Sequence, residues 1–534
     1  MRSDGIPEMS HICQPPCDAG AILHGTPAVP HSAASARWTL VAAILGSSMA
    51  FIDGTVVNVA LPAIQGKLNA SASQAQWVIE SYALFLAALL LVGGSLGDHF
   101  GRRRIFMIGV ALFTLASVGC GLSTSIEMLI SARCIQGIGA ALLVPGSLSL
   151  LSAAFPSAER GAAIGTWSAF SGITAAIGPV IGGYLVDHYA WTWAFLVNAP
   201  IGAVLLVICA RKVPESLGAA SCTPVDIAGA SLATIGLAGL VFALIEAPVR
   251  GWASFGVLGA AVVGALALGT FVVWEKHTPA PMLPLDLFRQ RDFAGANLLT
   301  LLLYGALGGG LFFVPLNLIQ VQGYGATGAG AALLPFIAIM FALSTWAGTL
   351  VDRFGSRLPL IVGPSIAAVG FALFAIPSID THYWTSFFPA VCVLGLGMSI
   401  TVAPLTTTVM NAVGPDLAGT ASGINNAISR AAGLVAIAIF GVVLAWVFNA
   451  CLPDELQRVE APVEAVASIM TQRHKLAGAA VPSGLPDEMR IGLQRAIGHS
   501  FVSGFRWVML MSIVLALLGA VSAWLLIPRK QHVE

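Results

Sequence analysis

Charge is scarce in this sequence. Only 9% of its 534 residues are charged, against roughly 25% in a soluble domain, whereas 57% are hydrophobic. Lysine and arginine together number 25, as do aspartate and glutamate, so no excess of basic charge is available for binding nucleic acid. The eight cysteines are too few for a disulfide scaffold in a chain of this length. This composition excludes a set of soluble domains and predicts an integral membrane protein.

Motifs of nucleotide-driven or catalytic proteins are also missing. The one Gly-Lys pair, at residues 66–67, is followed by leucine, where a Walker A loop needs Ser or Thr, so export driven by ATP is not expected. His11, Cys13 and Cys17 lie in a polar, proline-containing segment without a fourth ligand at a spacing typical of metal sites. We therefore expect no enzymatic activity, no bound metal and no cofactor.

Long apolar runs dominate the rest of the chain. A membrane-crossing helix needs about 20 apolar residues, and fourteen stretches of the sequence meet this requirement. They lie near residues 38–62, 74–97, 103–122, 127–152, 160–186, 191–210, 226–246, 253–274, 292–321, 326–351, 358–378, 384–411, 418–448 and 501–527. The sequence therefore predicts an all-α integral membrane protein with fourteen transmembrane helices.

Basic residues at the ends of these spans predict the orientation of the chain. With the N-terminus in the cytoplasm, the short outer loops hold only Lys67 and Arg250, and the inner segments hold fifteen basic residues. An excess of Lys and Arg marks cytoplasmic loops, and an even number of spans places both termini on that side. Residues 1–37 lack the apolar core of a signal peptide. We therefore expect a disordered cytoplasmic tail at 1–37 and a second cytoplasmic tail at 528–534.

Two short inner loops repeat one pattern. The loop after the second span and the loop after the tenth both read G-x-L-x-D-x-F-G-x-R. The residues of interest are Gly94, Asp98, Gly101, Arg102 and Arg103 in the first loop and Gly348, Asp352, Arg353, Gly355 and Arg357 in the second. Duplicated halves with a substrate site between them are typical of transporters. Exposed contacts of aspartate with arginine contribute about 1 kcal/mol or less, so we interpret the loops as reversible cytoplasmic gates; a coincidence of tight basic turns is the alternative.

Three further motifs complete a family resemblance. Residues 52–62 of the first span read I-D-G-T-V-V-N-V-A-L-P, and residues 129–137 of the fourth read L-x-x-x-R-x-x-Q-G. The fifth span carries small residues and a proline at Gly172, Gly178, Pro179, Gly182 and Gly183. Together with the repeated loop, these motifs resemble the major facilitator superfamily, in its branch of drug:proton antiporters with fourteen helices.

This resemblance implies a fold and a function. The fold has two six-helix bundles, at 38–211 and 292–527, with two extra helices in the connector 212–291. The implied function is proton-coupled export of small hydrophobic or amphipathic compounds across the inner, or only, membrane of a bacterial cell, with the proton gradient as the driving force. The expected partners are a small molecule, protons and the lipid bilayer. A dedicated exporter of one metabolite or antibiotic is one alternative, and a scaffold or sensor that does not transport is another.

Four ionisable residues lie well inside the predicted spans. They are Asp53, Glu80, Arg133 and Arg430, and each costs about 2.5–3.5 kcal/mol at a helix centre. At a rise of 1.5 Å per residue, Asp53 lies roughly 13 Å below the outer surface, and Glu80 and Arg133 lie roughly 9 Å below it. Two acids and an arginine thus share the outer half of the N-terminal bundle. The family fold makes Asp53 and Arg133 the expected pair.

We interpret these three residues as the proton-coupling site. Burial favours a neutral acid and a nearby arginine favours a carboxylate, so an arginine contact that changes between conformations would load and release a proton. Asp53 is the predicted proton carrier, Arg133 its modulator, and Glu80 a second acid or a counter-ion for the substrate. The alternative is a satisfied ion-pair network that holds the helices together. In the fifth span, the proline predicts a kinked helix, and the resemblance implies that this helix limits leakage.

Other polar positions are candidates for a substrate cavity. They are Asn58, Gln136, Trp167, Asn297 and Arg430. For Arg430, pairing with helix carbonyls or capping an interface is an equally good interpretation. The outer segment 449–500 is long and contains both acidic and basic residues, and we expect it to be a solvated loop. A short helix near 461–479 over the outer mouth, or a contact with an accessory protein, is the alternative.

Overall fold

The apolar runs form α-helices in the computed structural model, which describes residues 33–217, 225–413 and 417–528. The N-terminal helices are α1 Ala33–Lys67, α2 Ala72–Phe100, α3 Arg102–Gly121, α4 Ile126–Ala154, α5 Ser157–His188, α6 Trp193–Leu196 and α7 Asn198–Lys212. A hairpin of α8 Ile227–Arg250 and α9 Phe255–His277 follows. The C-terminal helices are α10 Arg291–Leu316, α11 Ala326–Ala331, α12 Leu334–Phe354, α13 Arg357–Ala375, α14 Tyr383–Asn411, α15 Ala418–Gln457, α16 Val463–Thr471 and α17 Asp487–Leu526. Short helical turns lie at Leu285–Arg289, Asn317–Val321 and Arg473–Gly478.

The number of membrane-crossing helices agrees with the sequence. Within the described ranges, fourteen helical segments are long and apolar enough to cross a membrane, which confirms the predicted count. The first helix begins at Ala33, inside the predicted tail. The rest of that tail, with His11, Cys13 and Cys17, lies outside the described residues, as do residues 529–534.

Small residues set the distance between helices in both halves of the molecule. Gly93 of α2 lies against Ala141 of α4, whose carbonyl oxygen would clash with any Cβ at the glycine. In the other half, Gly397 of α14 lies against Ala367 of α13, whose nitrogen would be 2.5 Å from an added Cβ. Such close backbone approach is a common way of packing membrane helices. It brings neighbouring helices of each half into direct backbone contact.

The hairpin of α8 and α9 lies at the seam between the two halves. On one side α8 contacts α2, and on the other it contacts α15. One apolar cluster contains Leu84 of α2, Val241 and Ile245 of α8, and Leu434 and Ala438 of α15. The first of the two extra helices therefore packs against both bundles at once.

The predicted tenth span is interrupted near one end. Residues 326–351 were expected to form one helix, but α11 ends at Ala331 and α12 begins at Leu334. Pro335 lies in the first turn of α12, where a residue without an N–H group and with a fixed φ is tolerated. The break allows α11 to begin a separate contact with α5.

Residues 449–500 differ from the predicted solvated loop. The helix α15 continues to Gln457, α16 forms the short helix that was the alternative expectation, and α17 begins at Asp487. The reason is an amphipathic pattern, because apolar residues at helical spacing bury one face of each segment. Ala465 and Ile469 are buried in α16, and Leu493 and Ile497 are buried in α17.

The two halves meet mainly at one end of the molecule. We call the end with the two repeated loops the repeat face and the opposite end the distal face. At the distal face, the Asp187 carboxylate of α5 accepts hydrogen bonds from the N–H groups of Ala326 (3.0 Å) and Thr327 (2.8 Å) at the start of α11. Gln320 donates to Gln65 Oε1 at 2.9 Å, and Gln76 Nε2 of α2 donates to the Ile437 carbonyl oxygen of α15 at 3.0 Å. These bonds close the distal face.

Candidate functional site

A buried ion pair joins α1 and α4 in the N-terminal half. Arg133 Nη1 lies 2.5 Å from Asp53 Oδ2, and the two side chains are 1% and 0% exposed. Arg133 Nε also donates to the Val78 carbonyl oxygen of α2 at 2.9 Å. The predicted pair of Asp53 with Arg133 is therefore confirmed, and it connects three helices.

Neutral polar groups satisfy the other oxygen of the aspartate. Gln136 Nε2 donates to Asp53 Oδ1 at 2.7 Å, and Asn198 Nδ2 of α7 donates to the same oxygen at 3.3 Å. Gln136 Oε1 accepts from Arg133 Nη1 at 2.8 Å. The Asp53 carboxylate therefore accepts three hydrogen bonds, which is the pattern expected for an ionised acid.

Two more groups surround this network. Ser117 Oγ of α3 accepts from Gln136 and Asn198 at 3.2 and 3.0 Å and donates to the Phe195 carbonyl oxygen at 2.9 Å. The Arg133 guanidinium lies over the Tyr82 ring at 4.3 Å from its centroid. Sequence reasoning missed Ser117, Asn198 and Tyr82, although a serine and an asparagine inside apolar spans were a signal that could have been followed.

This network responds chemically to one event, the protonation of Asp53. An ionised carboxylate only accepts hydrogen bonds, whereas a protonated one has to donate one. A proton on Asp53 would therefore remove at least one of its donors and leave the Arg133 charge without its counter-ion. Because a buried unpaired charge is strongly unfavourable, Asp53 cannot be protonated while this arrangement of side chains is kept.

Glu80 is separate from the network. It lies on α2, its side chain is fully buried, and neither carboxyl oxygen has a hydrogen-bond partner among the described residues. The predicted cluster of two acids and one arginine is thus divided into a paired acid and an unpaired one. A buried carboxyl group without a partner is far less costly as the neutral acid than as the carboxylate.

The candidate cavity residues fall into two groups. The structure corrects the placement of Gln136 and Asn297, which are buried in side-chain networks; Asn297 accepts from Asn425 Nδ2 at 3.0 Å. Trp167 Nε1 donates to Ser47 Oγ at 2.9 Å.

Asn58 and Arg430 keep unused polar groups. Asn58 Oδ1 is buried without a partner, and Arg430 makes no hydrogen bond within the described ranges, although it lies near enough to Tyr82 for an electrostatic interaction. The predicted role of these two residues in a substrate cavity therefore stays a prediction.

The first repeated loop is held together by charged contacts within its own half. Arg102 Nε lies 2.7 Å from Asp98 Oδ1, and Gly101 adopts a φ of +104° that favours glycine. Glu215 accepts from the N–H group of Arg103 at 2.9 Å. Gly94 is buried behind this turn.

The second repeated loop is more open. Gly355 has a φ of +71°, and Arg357 donates to the carbonyl oxygen of Trp524. Arg353 and Gly348 are exposed, and the side chain of Asp352 lies outside the described residues. The backbone of the repeat is therefore shared by the two halves, while the observed contacts differ.

The motif of the fifth span lies where α5 crosses its neighbours. Gly178 and Gly182 face α1, and an added Cβ at Gly182 would lie 2.6 Å from Val56. Gly183 packs against the backbone of Ala326 in α11, and the Pro179 carbonyl group packs against Gly330. Gly172 has open space around it. Four residues of the motif thus form tight contacts, two of them between the halves at the distal face.

Comparisons with known proteins agree on one family. A family model described as Major Facilitator Superfamily matches residues 43–437. The chain is 35% identical over 507 residues to the multidrug resistance protein Stp of Mycobacterium tuberculosis, covering 92% of each chain. It is 33% identical over 491 residues to the tetracenomycin C resistance and export protein of Streptomyces glaucescens, covering 91% of this chain and 90% of the relative.

Solved structures show the same architecture. A bacterial homolog of the human lysosomal transporter Spinster superposes with a TM-score of 0.62 at 18% identity, over 93% of this chain and 98% of that one. A D-xylose-proton symporter superposes with a TM-score of 0.59 at 15% identity, over 92% and 98% of the two chains. At these identities the likeness concerns the fold.

Proposed function

We propose that this chain exports small hydrophobic or amphipathic compounds in exchange for protons. It belongs to the major facilitator superfamily and is a multi-pass membrane transporter, not an enzyme. The names of the two relatives, a multidrug resistance protein and a resistance and export protein, support export as the direction of transport. The proposed location is the inner, or only, membrane of a bacterial cell, with both termini in the cytoplasm and the proton gradient as the energy source.

The ion pair of Asp53 with Arg133 is the observation that carries the proton-exchange part of this proposal. With the repeat face in the cytoplasm, a closed distal face corresponds to the inward-facing form. In an antiporter, this is the form that has released its proton and accepts its substrate. An Asp53 carboxylate with three donors matches that stage of the cycle.

Proton loading belongs to the outward-facing form. There, movement of α1 against α4 would lengthen the contact between Asp53 and Arg133, and burial without the cation favours the neutral acid. A protonated Asp53 releases Arg133, and the return to the inward-facing form restores the pair and expels the proton. A cationic substrate near Asp53 would favour the carboxylate in the same way as Arg133, which couples its binding to proton release.

We assign Glu80 the second role in exchange. It lies one turn from Gln76, whose side chain bonds across the seam to α15. Opening the distal face would break that bond and connect Glu80 with the outer solution, where it can exchange its proton as a second acid of the cycle or act as a counter-ion for the substrate.

The repeated loops and the α5 crossing are the proposed gates. Asp98 with Arg102 braces the turn at the repeat face, in position to engage the other half when that face closes. At the distal face, Asp187 holds the N-terminus of α11, where a negative charge is favoured by the helix dipole. The contact of Asp187 with Thr327 is exposed and contributes about 1 kcal/mol or less, so it can break once per cycle. The pair of Asp98 with Arg102 is partly buried and keeps the turn in shape.

Proton release from the purified protein in detergent tests the proposal. A pH-indicator dye in weakly buffered solution would report release upon addition of tetraphenylphosphonium or ethidium. We expect release from the wild type and none from Asp53→Asn. Asp286→Asn is the matched control, because it removes a carboxylate from an exposed pair with Arg289, and it should behave as the wild type. Unchanged release from Asp53→Asn would remove Asp53 from the mechanism.

A dedicated exporter of one compound is the second candidate. It is supported by the name of the tetracenomycin C relative, which specifies one compound. Resistance of expressing cells to a panel of unrelated drugs separates the two candidates. Protection against several classes supports multidrug export, and protection against a single class supports the dedicated exporter.

The proposed orientation has its own test. Lys67→Cys lies at the distal end of α1, and Arg353→Cys lies at the repeat-face end of α12. A membrane-impermeant maleimide added to intact cells should label Lys67→Cys and spare Arg353→Cys. The opposite pattern would invert the assignment of the two faces.

A further inference from the structure

A cavity lies at the distal face, away from the Asp53 network. Its volume is about 260 Å³. The apolar part of its lining includes Leu61 of α1, Phe312 and Phe313 of α10, and Phe501 of α17. Both halves of the transporter therefore contribute to the cavity, so its walls are complete only while the distal face is closed.

The cavity is completed by two further segments, the first extra helix and a stretch of the chain between α15 and α17. The extra helix α8 provides one wall through Leu244, Ile245 and Pro248. The segment Val463–Gly478, which we call the distal cap, contributes Thr471 and the run from Arg473 to Leu476. Two segments that are separated by more than 200 residues in sequence thus line one space.

The distal cap is anchored to the opposite half of the molecule. Gln65 Nε2 of α1 donates to the Lys475 carbonyl oxygen at 3.1 Å, and Lys475 Nζ donates to Asn69 Oδ1 at 2.5 Å. Leu476 is buried and has a φ of +53°, a left-handed conformation that leucine rarely adopts. Such backbone strain is retained where the surroundings impose it, so the position of the cap over the cavity is well determined.

The polar lining has one sign of charge. Arg473, His474 and Lys475 lie at the cap, and the lining contains no aspartate or glutamate. None of these three residues forms an ion pair with a described residue. Asn449 also lines the cavity, and its Oδ1 is buried without a hydrogen-bond partner among the described residues. Such a group accepts a hydrogen bond from a bound hydroxyl or amide.

We propose that this cavity, the distal vestibule, binds amphipathic organic anions. The ring system of the ligand lies on Leu61 and the phenylalanines, its anionic group faces Arg473 and Lys475, and a hydroxyl group donates to Asn449. The proposal goes beyond the exchange at Asp53, because it concerns another site and another charge. A ligand that binds only the closed form favours that form, so an anion in the outer solution would slow export from the far side of the membrane.

Calorimetric titration of the purified full chain in detergent tests the vestibule. The probe is 6-hydroxy-2-naphthoate, which has an apolar ring system, a carboxylate and a hydroxyl group, and its neutral amide is the comparison ligand. We expect the anion to bind more tightly than the amide. The double variant R473Q/K475Q should weaken binding of the anion by about tenfold or more, since hydrogen bonds to charged groups are the stronger ones.

Two controls make the result specific. R458Q/R490Q removes two exposed basic residues of the distal side that do not line the vestibule, and it should bind as the wild type. Ala445→Phe fills the cavity and should abolish binding, with an unchanged melting temperature showing that the protein is folded. Equal binding by the wild type, R473Q/K475Q and Ala445→Phe would overturn the proposal.

The same anionic chemistry occurs in a phospholipid headgroup and in a soluble compound. Titration of phosphatidylglycerol against the bound naphthoate separates these sources. Displacement by the lipid supports a lipid-occupied vestibule, and resistance to displacement supports a site for soluble anions. In both cases export measured with naphthoate outside the vesicle should be slower in the wild type than in R473Q/K475Q; equal rates would contradict the coupling of the vestibule to the closed form.

Discussion

Asp53 and Glu80 are both fully buried acids on neighbouring helices of one bundle, yet their surroundings are opposite. Asp53 accepts hydrogen bonds from Arg133, Gln136 and Asn198. Glu80 has no partner in the described chain. The first acid is stabilised as an ion by its neighbours, and the second is tolerated as a neutral group. The charge of Asp53 therefore holds helices together, whereas the neutral Glu80 is free to change its protonation when the conformation changes.

Removing Arg133 should produce the largest effect. In Arg133→Leu the Asp53 carboxylate stays buried without its cation, and breaking a buried pair in this way costs about 3–5 kcal/mol. The melting temperature in detergent, followed by tryptophan fluorescence, should fall strongly. Arg430→Leu is the matched control, because Arg430 forms no ion pair with a described residue, and it should fall much less.

A double variant sharpens this first prediction. D53N/R133L contains neither of the two buried charges, so its melting temperature should recover much of the loss. Non-additivity of this kind is the signature of two residues in direct contact. A double variant that is as unstable as the sum of the single variants would show that the pair does not act as a unit.

Gln136→Leu should have an intermediate effect. The variant removes a donor to Asp53 Oδ1 and an acceptor for Arg133, and a buried group that loses its partner costs about 1–3 kcal/mol. Gln290→Leu, at an exposed position before α10, controls for the added apolar surface. Melting curves of the two variants should differ clearly, and coincident curves would show that the ion pair alone fixes Asp53.

Ser117→Ala should cost less, about 1 kcal/mol. Ser117 accepts from Gln136 and Asn198 but does not contact the aspartate, so its loss weakens the outer part of the network by one neutral hydrogen bond or so. Ser503→Ala is the control, because its hydroxyl bonds only to the preceding turn of an exposed helix surface. A loss as large as that of Arg133→Leu would mean that Ser117 supports the ion pair itself.

Counting residues along a helix predicts how deep a side chain lies in the membrane. This is why the pair of Asp53 with Arg133 could be predicted from the sequence. The family, the fourteen helices and the pair of Asp53 with Arg133 all rest on apolar length, motifs and a constant rise per residue. These features depend on local sequence. They are therefore visible before the helices are packed.

Rotation about a helix axis is not visible in the same way. Val78, whose carbonyl group joins the network, and Glu80 are two residues apart, which places them roughly 200° apart around α2. Equal depth therefore did not bring Glu80 to Arg133. Gln136 was expected in a cavity and lies inside the network, because the rotation of α4 about its axis was equally unknown. Asn198 was indistinguishable from other polar residues near the end of a span.

The segment 449–500 shows a different limit. Its acidic and basic residues indicated a loop, but its apolar residues follow a helical period and pack under the distal cap. The overall composition of the segment did not reveal the helical spacing of its apolar residues. This spacing matters because the packed segment includes the distal cap, which covers the distal vestibule.

Glu80→Gln should have the smallest effect on stability and still reduce transport. The glutamine has the shape of the neutral acid, so the free energy of unfolding should change by no more than about 0.5 kcal/mol, as for a substitution that breaks no contact. If Glu80 ionises when the distal face opens, proton-coupled export in vesicles should fall by about tenfold, within the range of ordinary coupling energies. Glu464→Gln, on the exposed side of α16, should change neither quantity. A fall in melting temperature comparable to that of Arg133→Leu would reveal a structural partner for Glu80 and abolish the contrast with Asp53. Full transport by a stable Glu80→Gln protein would leave Asp53 as the only acid in the exchange, because a group that never changes its charge contributes nothing to a proton cycle.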